Sequence, residues 1–361
     1  MKNKSFLFIL IGGLLLMAAL LLPRVYSLYS EPVVRITDLS VKKIDAQSAA
    51  DPQYRQTITA ILLNGRQKGE KVSFSNDYYP SAAMSEELRL HEKIFVKNIK
   101  KEKGRLTAEF SGIKRDSYVF FALALFLFFT LLIGQKVGVL SLASLVFNIA
   151  LLLLLLQGYR LSKHFPLLFF ISLGCLFFAA GTLLIMFGNR KKTWVAIIST
   201  VASTFCALVI GYLAMKLTNE RGMRYEEMNF ITRPYRQIFL SSLLIGALGA
   251  VMDVAITIVT GVGELLEQHP EIERRKLWRS GKNIGTDIMG TMSNVLLFTY
   301  LSGSLTSLIL YMQNGWAFGE TLDVNLSLEL IRALCGSLGI VLAIPITLFL
   351  SIRLLMKRGS A

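Results

Sequence analysis

Residues 246–294 read GALGAVMDVAITIVTGVGELLEQHPEIERRKLWRSGKNIGTDIMGTMSN. Two apolar stretches flank a short basic loop, and each holds an aspartate, Asp253 in the first and Asp287 in the second. A carboxylate inside a hydrophobic span is costly and is kept where it has a use. On a helix, Gly246, Gly249, Asp253, Thr257, Thr260 and Glu264 recur at steps of three or four and share one face. Asn283, Asp287, Gly290, Thr291 and Asn294 do the same in the second stretch. Two polar stripes on consecutive helices are expected to face inward as one site. A carboxyl held there exchanges a proton, or serves a hard cation beside Thr and Asn oxygens. Either chemistry suits coupled transport.

The elements that must carry such a site are membrane helices. Of 361 residues, 53% are hydrophobic and 17% charged, against about 25% charged in soluble domains. The net charge of +15 comes from basic residues gathered at the ends of apolar runs. That is the pattern of topology-setting Lys and Arg rather than of nucleic-acid binding. Three cysteines, Cys175, Cys206 and Cys335, all lie in apolar runs, and three histidines, His91, His164 and His269, are scattered. Neither a disulfide framework nor a metal site is spelled out, and no cofactor is expected. Met252, Met289 and Met292 are read as ordinary apolar-helix residues rather than a soft-metal path.

Spans are expected near 6–22, 118–133, 137–156, 166–187, 194–217, 238–264, 284–312 and 326–355, about eight transmembrane helices. The first is read as an uncleaved N-terminal helix within 1–29, since no A-x-A site follows it. Residues 30–116 differ in kind. Short alternating segments at 33–41, 57–63, 69–74, 93–98 and 106–110, with turns at Asn64-Gly65 and around Gly104, predict a small extracytoplasmic β-barrel or sandwich. Residues 117–361 then form a seven-helix membrane domain. In the last helix, Gly336, Gly339 and Ala343 make a small packing face, and Pro345 is expected to bend it.

Loop charges predict that both termini are cytoplasmic. Lys136, Arg190, Lys191, Lys192, Arg274, Arg275, Lys276, Arg279, Lys282, Arg353, Lys357 and Arg358 all fall on one side. The loop from Gln313 to Asn325 has neither Lys nor Arg. The loop from Thr218 to Gln237 disagrees, with Arg221, Arg224, Arg233 and Arg236 beside Glu220, Glu226 and Glu227. At 1.5 Å per residue, Asp253 lies about 16 Å from the inner end of its helix and Asn294 about 15 Å deep. Asp287, about 5 Å deep, sits near Thr257 and Thr260, or caps a helix that begins near Ile284. Glu264 stands at the mouth. Gly246, Gly249, Gly285 and Gly290 are expected to let helices approach closely. The basic stretch from Pro270 to Lys282, with Trp278, is suited to an interface with anionic headgroups.

The stretches GALGAVMDVA from Gly246 and GTDIMGTMSN from Gly285 resemble the YibE/F family of bacterial multi-pass membrane proteins. Its patterns there are GA-x-GA-x-MD-V and G-x-D-I-MGT-M-x-N. The resemblance also covers the N-terminal helix, the small β domain and the helical region. It implies a bacterial cell membrane and supplies no activity.

Two functions compete at this point. One is a permease or exporter of a small solute or ion, coupled to protons or cations through the membrane carboxylates, with the lipid bilayer as its solvent. The other is a non-transporting sensor or assembly factor that binds a protein partner through the β domain. No enzyme is expected: an aspartyl dyad needs its carboxylates side by side, whereas these stand about 11 Å apart along the membrane normal. No phosphate-binding loop is present either.

Overall fold

The structure, a computed structural model, describes residues 2–44, 52–81, 85–102, 105–162, 165–225 and 234–356. Glu226, Glu227, Arg233, Lys357, Arg358, His164 and the turn at Gly104 lie outside the described residues. Contacts divide the chain into two units, 1–139 and 140–361.

The first unit opens with α1 (Lys2–Leu21). Five strands follow: β1 (Val33–Lys43), β2 (Tyr54–Leu62), β3 (Lys71–Tyr78), β4 (Lys93–Glu102) and β5 (Arg105–Ile113). They close into a barrel in the order β1-β2-β3-β5-β4. All neighbours are antiparallel except β3 and β5. This is a five-stranded Greek-key barrel of the OB type. Strict alternation in β2 and β3 sends Ile58, Ala60, Leu62, Val72 and Phe74 inward to meet Val34, Ile36, Ile94, Val96 and Leu106. Closure removes the sheet edges that would otherwise invite foreign strands.

Buried amides finish the barrel. Gln56 exchanges hydrogen bonds with the backbone of Leu88, its Nε2 donating at 2.9 Å and its Oε1 accepting at 3.0 Å. Asn76 donates to Gln56 Oε1 at 2.9 Å and to the Glu86 carbonyl at 2.8 Å. Asn64 does more than turn the chain before Gly65, whose φ of +83° needs a glycine. Its Oδ1 accepts from Val33 N at 2.6 Å, and its Nδ2 donates to the carbonyls of Tyr26 and Glu31 at 3.0 Å. One side chain thus fastens the linker after α1 to the barrel. On the outer face, the Arg55 guanidinium, 2.7 Å from Asp77, holds that carboxyl below the usual range. The pair therefore stabilises the barrel above the ordinary carboxylate range, and its contribution is lost as acid protonates Asp77. Being exposed, the pair is screened by solvent and contributes little.

A second fastening ties α1, linker, barrel and α2 (Asp116–Leu161). Lys114, whose side chain is 1% exposed, donates to the Pro23 carbonyl at 2.9 Å and to Asp116 at 2.6 and 2.8 Å. Its ammonium also lies 3.1 Å from Tyr29 Oη. Tyr29 donates in turn to Asp116. Burial, then the Asp116 bond, raises the Tyr29 pKa, so the phenol keeps its proton across the neutral range.

The expected helices at 118–133 and 137–156 run together without a gap as the 46-residue α2 and are parted where expected, at Gln135, where φ is +47° and ψ −119°. A straight helix of that length would span about 69 Å, more than twice the roughly 30 Å hydrocarbon core. The chain turns sharply at the break: a Cβ on Gly138 would strike the Thr130 carbonyl, so only glycine fits there.

In the second unit follow α3 (Leu167–Phe187), α4 (Lys191–Leu217), α5 (Tyr235–Gln268), α6 (Arg274–Gln313) and α7 (Phe318–Leu355). The described residues thus hold seven α-helices, six of them long and apolar enough to cross a membrane. Both α6 and α7 begin about two turns or more earlier than hydropathy places them, because Arg, Lys and Glu end an apolar run without ending a helix. α7 continues through Pro345. Its small face is used as expected: Gly336 lies against Leu296, and Gly339 against Val251 and Ala207. Buried Ser199, Thr200, Ser203 and Thr204 give α4 a comparably slim face.

Candidate membrane site

The predicted site residues sit on α5 and α6, whose register is fixed by contacts with each other and with α7. Val262 lies against Gly281, Ile258 against Gly285, Gly261 against Ile284, and Gly246 against the Tyr300 hydroxyl. Gly285 also receives Ile344, and Gly281 receives Leu348. Antiparallel extension of these pairs sets Asp253 level with residues 290–293, next to Asn294, and Asp287 level with residues 256–258, beside Thr257.

The facing of the stripe is a correction. The buried side of α5 is Val251, Val254, Ala255, Ile258, Val259 and Val262, packed on α7 and α4. Asp253, Thr257, Glu264, Asp287, Thr291 and Asn294 are exposed on the single chain, and Thr260 is half-buried. The stripe looks outward from the helix bundle instead of inward. Among the described residues nothing lies within reach of a Cβ on Gly249 or Gly290, whereas one on Gly246 would meet the Tyr300 hydroxyl and one on Gly285 would meet Ile344 and Ile258. Thr257 donates to the Asp253 carbonyl at 2.7 Å, and Thr291 to the Ile288 carbonyl at 2.8 Å. Both hydroxyls keep their lone pairs for another ligand. Asp287 does not cap a helix, because α6 starts more than three turns before it, at Arg274. Among the described residues no three His, Cys, Asp or Glu side chains converge as a metal site.

A cavity of about 580 Å³ between α6 and α7 escaped the sequence reading. Tyr300, Ser304, Ser307, Asn325, Glu329 and Arg332 line it. Arg332 pairs with Glu329 one turn earlier, with side chains 14% and 20% exposed. The Arg332 guanidinium also lies 5.2 Å from the centre of the Phe239 ring, and its Nε has no hydrogen-bond partner among the described residues. The signal was present as a carboxylate and a guanidinium three apart in α7, a pairing that a helix supports. Tyr300 joins the cavity to the stripe, since its hydroxyl rests on Gly246. Arg332→Met is expected to lower stability by about 2 kcal/mol, the worth of a charge-assisted bond, because Glu329 is left half-buried and unpaired. Adding Glu329→Met should recover most of that loss, as thermal unfolding in detergent can show.

The loop whose charges oppose the expected orientation is neutralised in part. Arg224 pairs with Asp323 at 3.1 Å, and Arg236 pairs with Glu220. Tyr225 packs tilted against Tyr235 and edge-on against Phe239, and burial raises its pKa.

Residues 122–357 match the YibE/F-like protein family and residues 27–113 the YibE/F family N-terminal domain. No curated protein and no solved structure matches the chain. The chain belongs to the YibE/F family.

Proposed function

We propose that this YibE/F family member is a permease or exporter for a small polar solute or ion, coupled to protons or cations through Asp253 and Asp287. In this reading α1, the two arms of α2, and α3 to α7 make eight spans in a bacterial cell membrane. Both termini are then cytoplasmic and the barrel lies outside. The basic residues at the α2 break, before α4, around the α5–α6 loop and at the end of α7 share the inner side.

One observation carries the proposal. Asp287, Thr291 and Asn294 are exposed along one face of α6, yet α6 is the least apolar of the six candidate spans. α2, which is also largely exposed, is the most apolar. α2 suits contact with lipid. The face of α6 with Asp287, Thr291 and Asn294, beside Asp253 and Thr257, does not, since a carboxylate in hydrocarbon costs several kcal/mol. A hydrated pathway along that face, reaching the Glu329–Arg332 cavity at Tyr300, satisfies these groups.

Accessibility tests the pathway. In a background with Cys175, Cys206 and Cys335 replaced by alanine, Thr257→Cys and Asn294→Cys are expected to react with a charged, membrane-impermeant thiol reagent. The buried Ile258→Cys is expected not to. If all three prove equally inert, the stripe is dry and the permease reading fails.

The second reading, a sensor or assembly factor, is favoured by the closed barrel, whose core is complete in itself. It predicts unreactive stripe positions together with a partner that crosslinks to the barrel.

A further inference from the structure

We infer that a groove between the start of α6 and the end of α7 holds the phosphate headgroup of an anionic phospholipid, with the acyl chain along its apolar wall. The groove has a volume of about 840 Å³. Arg274 and Arg275 enter it from the first turn of α6, and Arg353 from the last turn of α7. Among the described residues, no carboxylate pairs with any of these three guanidiniums. The neighbouring acid, Glu273, pairs with Lys276 at 3.8 Å. Three uncompensated guanidiniums in one groove offer forked donors matched to phosphate oxygens. The first backbone N–H groups of α6 add partial positive charge at the same end.

The wall decides between a lipid and a free anion. Trp278, Phe349 and Leu354 line the groove and are 38%, 55% and 50% exposed. The Arg353 guanidinium stands 5.9 Å from the centre of the Phe349 ring. Inorganic phosphate makes no use of such a wall, whereas a lipid covers it. The position also fits: basic and aromatic groups meet at the ends of two membrane helices, at headgroup depth. On the orientation proposed above, this end faces the anionic cytoplasmic leaflet. The inference stands apart from transport, since it requires only that the chain lies in a bilayer.

Lipid binding to the full chain in neutral-detergent micelles, read by native mass spectrometry, tests it. Phosphatidylglycerol is expected to be retained over phosphatidylcholine. Replacing Arg274, Arg275 and Arg353 together by glutamine is expected to cut retention about 100-fold, at roughly 1 kcal/mol per basic side chain and 1.4 kcal/mol per decade. Replacing Lys276, Arg279 and Lys282 removes the same charge outside the groove and should leave retention near wild type. If the arginine triple fails to fold, Trp278→Ala with Phe349→Ala serves instead, weakening lipid retention. Equal losses in both charge triples overturn the site. So does equal retention of phosphatidylcholine, or displacement of the lipid by millimolar inorganic phosphate.

Discussion

Replacing Lys114 with methionine is expected to cost about 3–5 kcal/mol, the penalty for removing one partner of a buried ion pair. Three features put it at the high end of single substitutions. The ammonium is almost fully enclosed. It satisfies acceptors from separate segments, the Pro23 carbonyl after α1 and the Asp116 carboxylate at the start of α2. Its loss leaves Asp116, at 20% side-chain exposure, with Tyr29 as its remaining side-chain donor. Methionine fills much of the space, so the change isolates charge and hydrogen bonding from cavity formation. Amide exchange of the full chain should then rise across residues 22–31 and at the barrel–α2 junction, while the barrel core around Ile58 and Val72 stays protected. Adding Asp116→Asn should recover part of the loss. An unfolding temperature and exchange pattern indistinguishable from wild type would show that the junction is held by other means.

The barrel was legible because its strands alternate and its turns carry glycine. Periodicity of two is set by the pleat and survives in any environment. The role of Asn64 was not legible, since Asn-Gly reads as a turn whether or not the side chain reaches Tyr26 and Glu31 in the linker and Val33 in β1. Helix existence was legible from apolar run length, but helix ends were not. Apart from Gly281, Arg274 to Asn283 are good or tolerable helix residues in a stretch too polar to be counted as membrane. The break at Gln135 was legible, because the polar interruption Gly134-Gln135-Lys136 separates two apolar runs.

The site divides in the same way. Spacing put Asp253 with Thr257 on one face of α5 and Asp287 with Asn294 on one face of α6, and the helix rise gave their levels. The direction of the stripe was not contained in the spacing, because a shared face has no sign until its opposite is packed. Here Val251, Val254, Ile258 and Val262 take the interior, which turns the carboxylates outward. Glu329 and Arg332 went unread because their partners, Phe239 and Tyr300, come from other helices.

The second large effect concerns Asp253. Asparagine keeps its size and part of its hydrogen bonding while removing the carboxyl that would carry a proton or bind a cation. Glutamate keeps the carboxyl. The stability of Asp253→Asn should stay within about 1 kcal/mol of wild type, since an exposed polar position makes few packing contacts. The decisive measurement is flux in reconstituted vesicles carrying a pH-sensitive dye, with protons, sodium and potassium as probes under an imposed membrane potential. Wild type and Asp253→Glu are expected to move at least one of these ions faster than empty vesicles. Asp253→Asn is expected to fall to the empty-vesicle rate while remaining folded and inserted. Flux that is unchanged in Asp253→Asn, or no flux above empty vesicles for the wild type with any probe, contradicts the account.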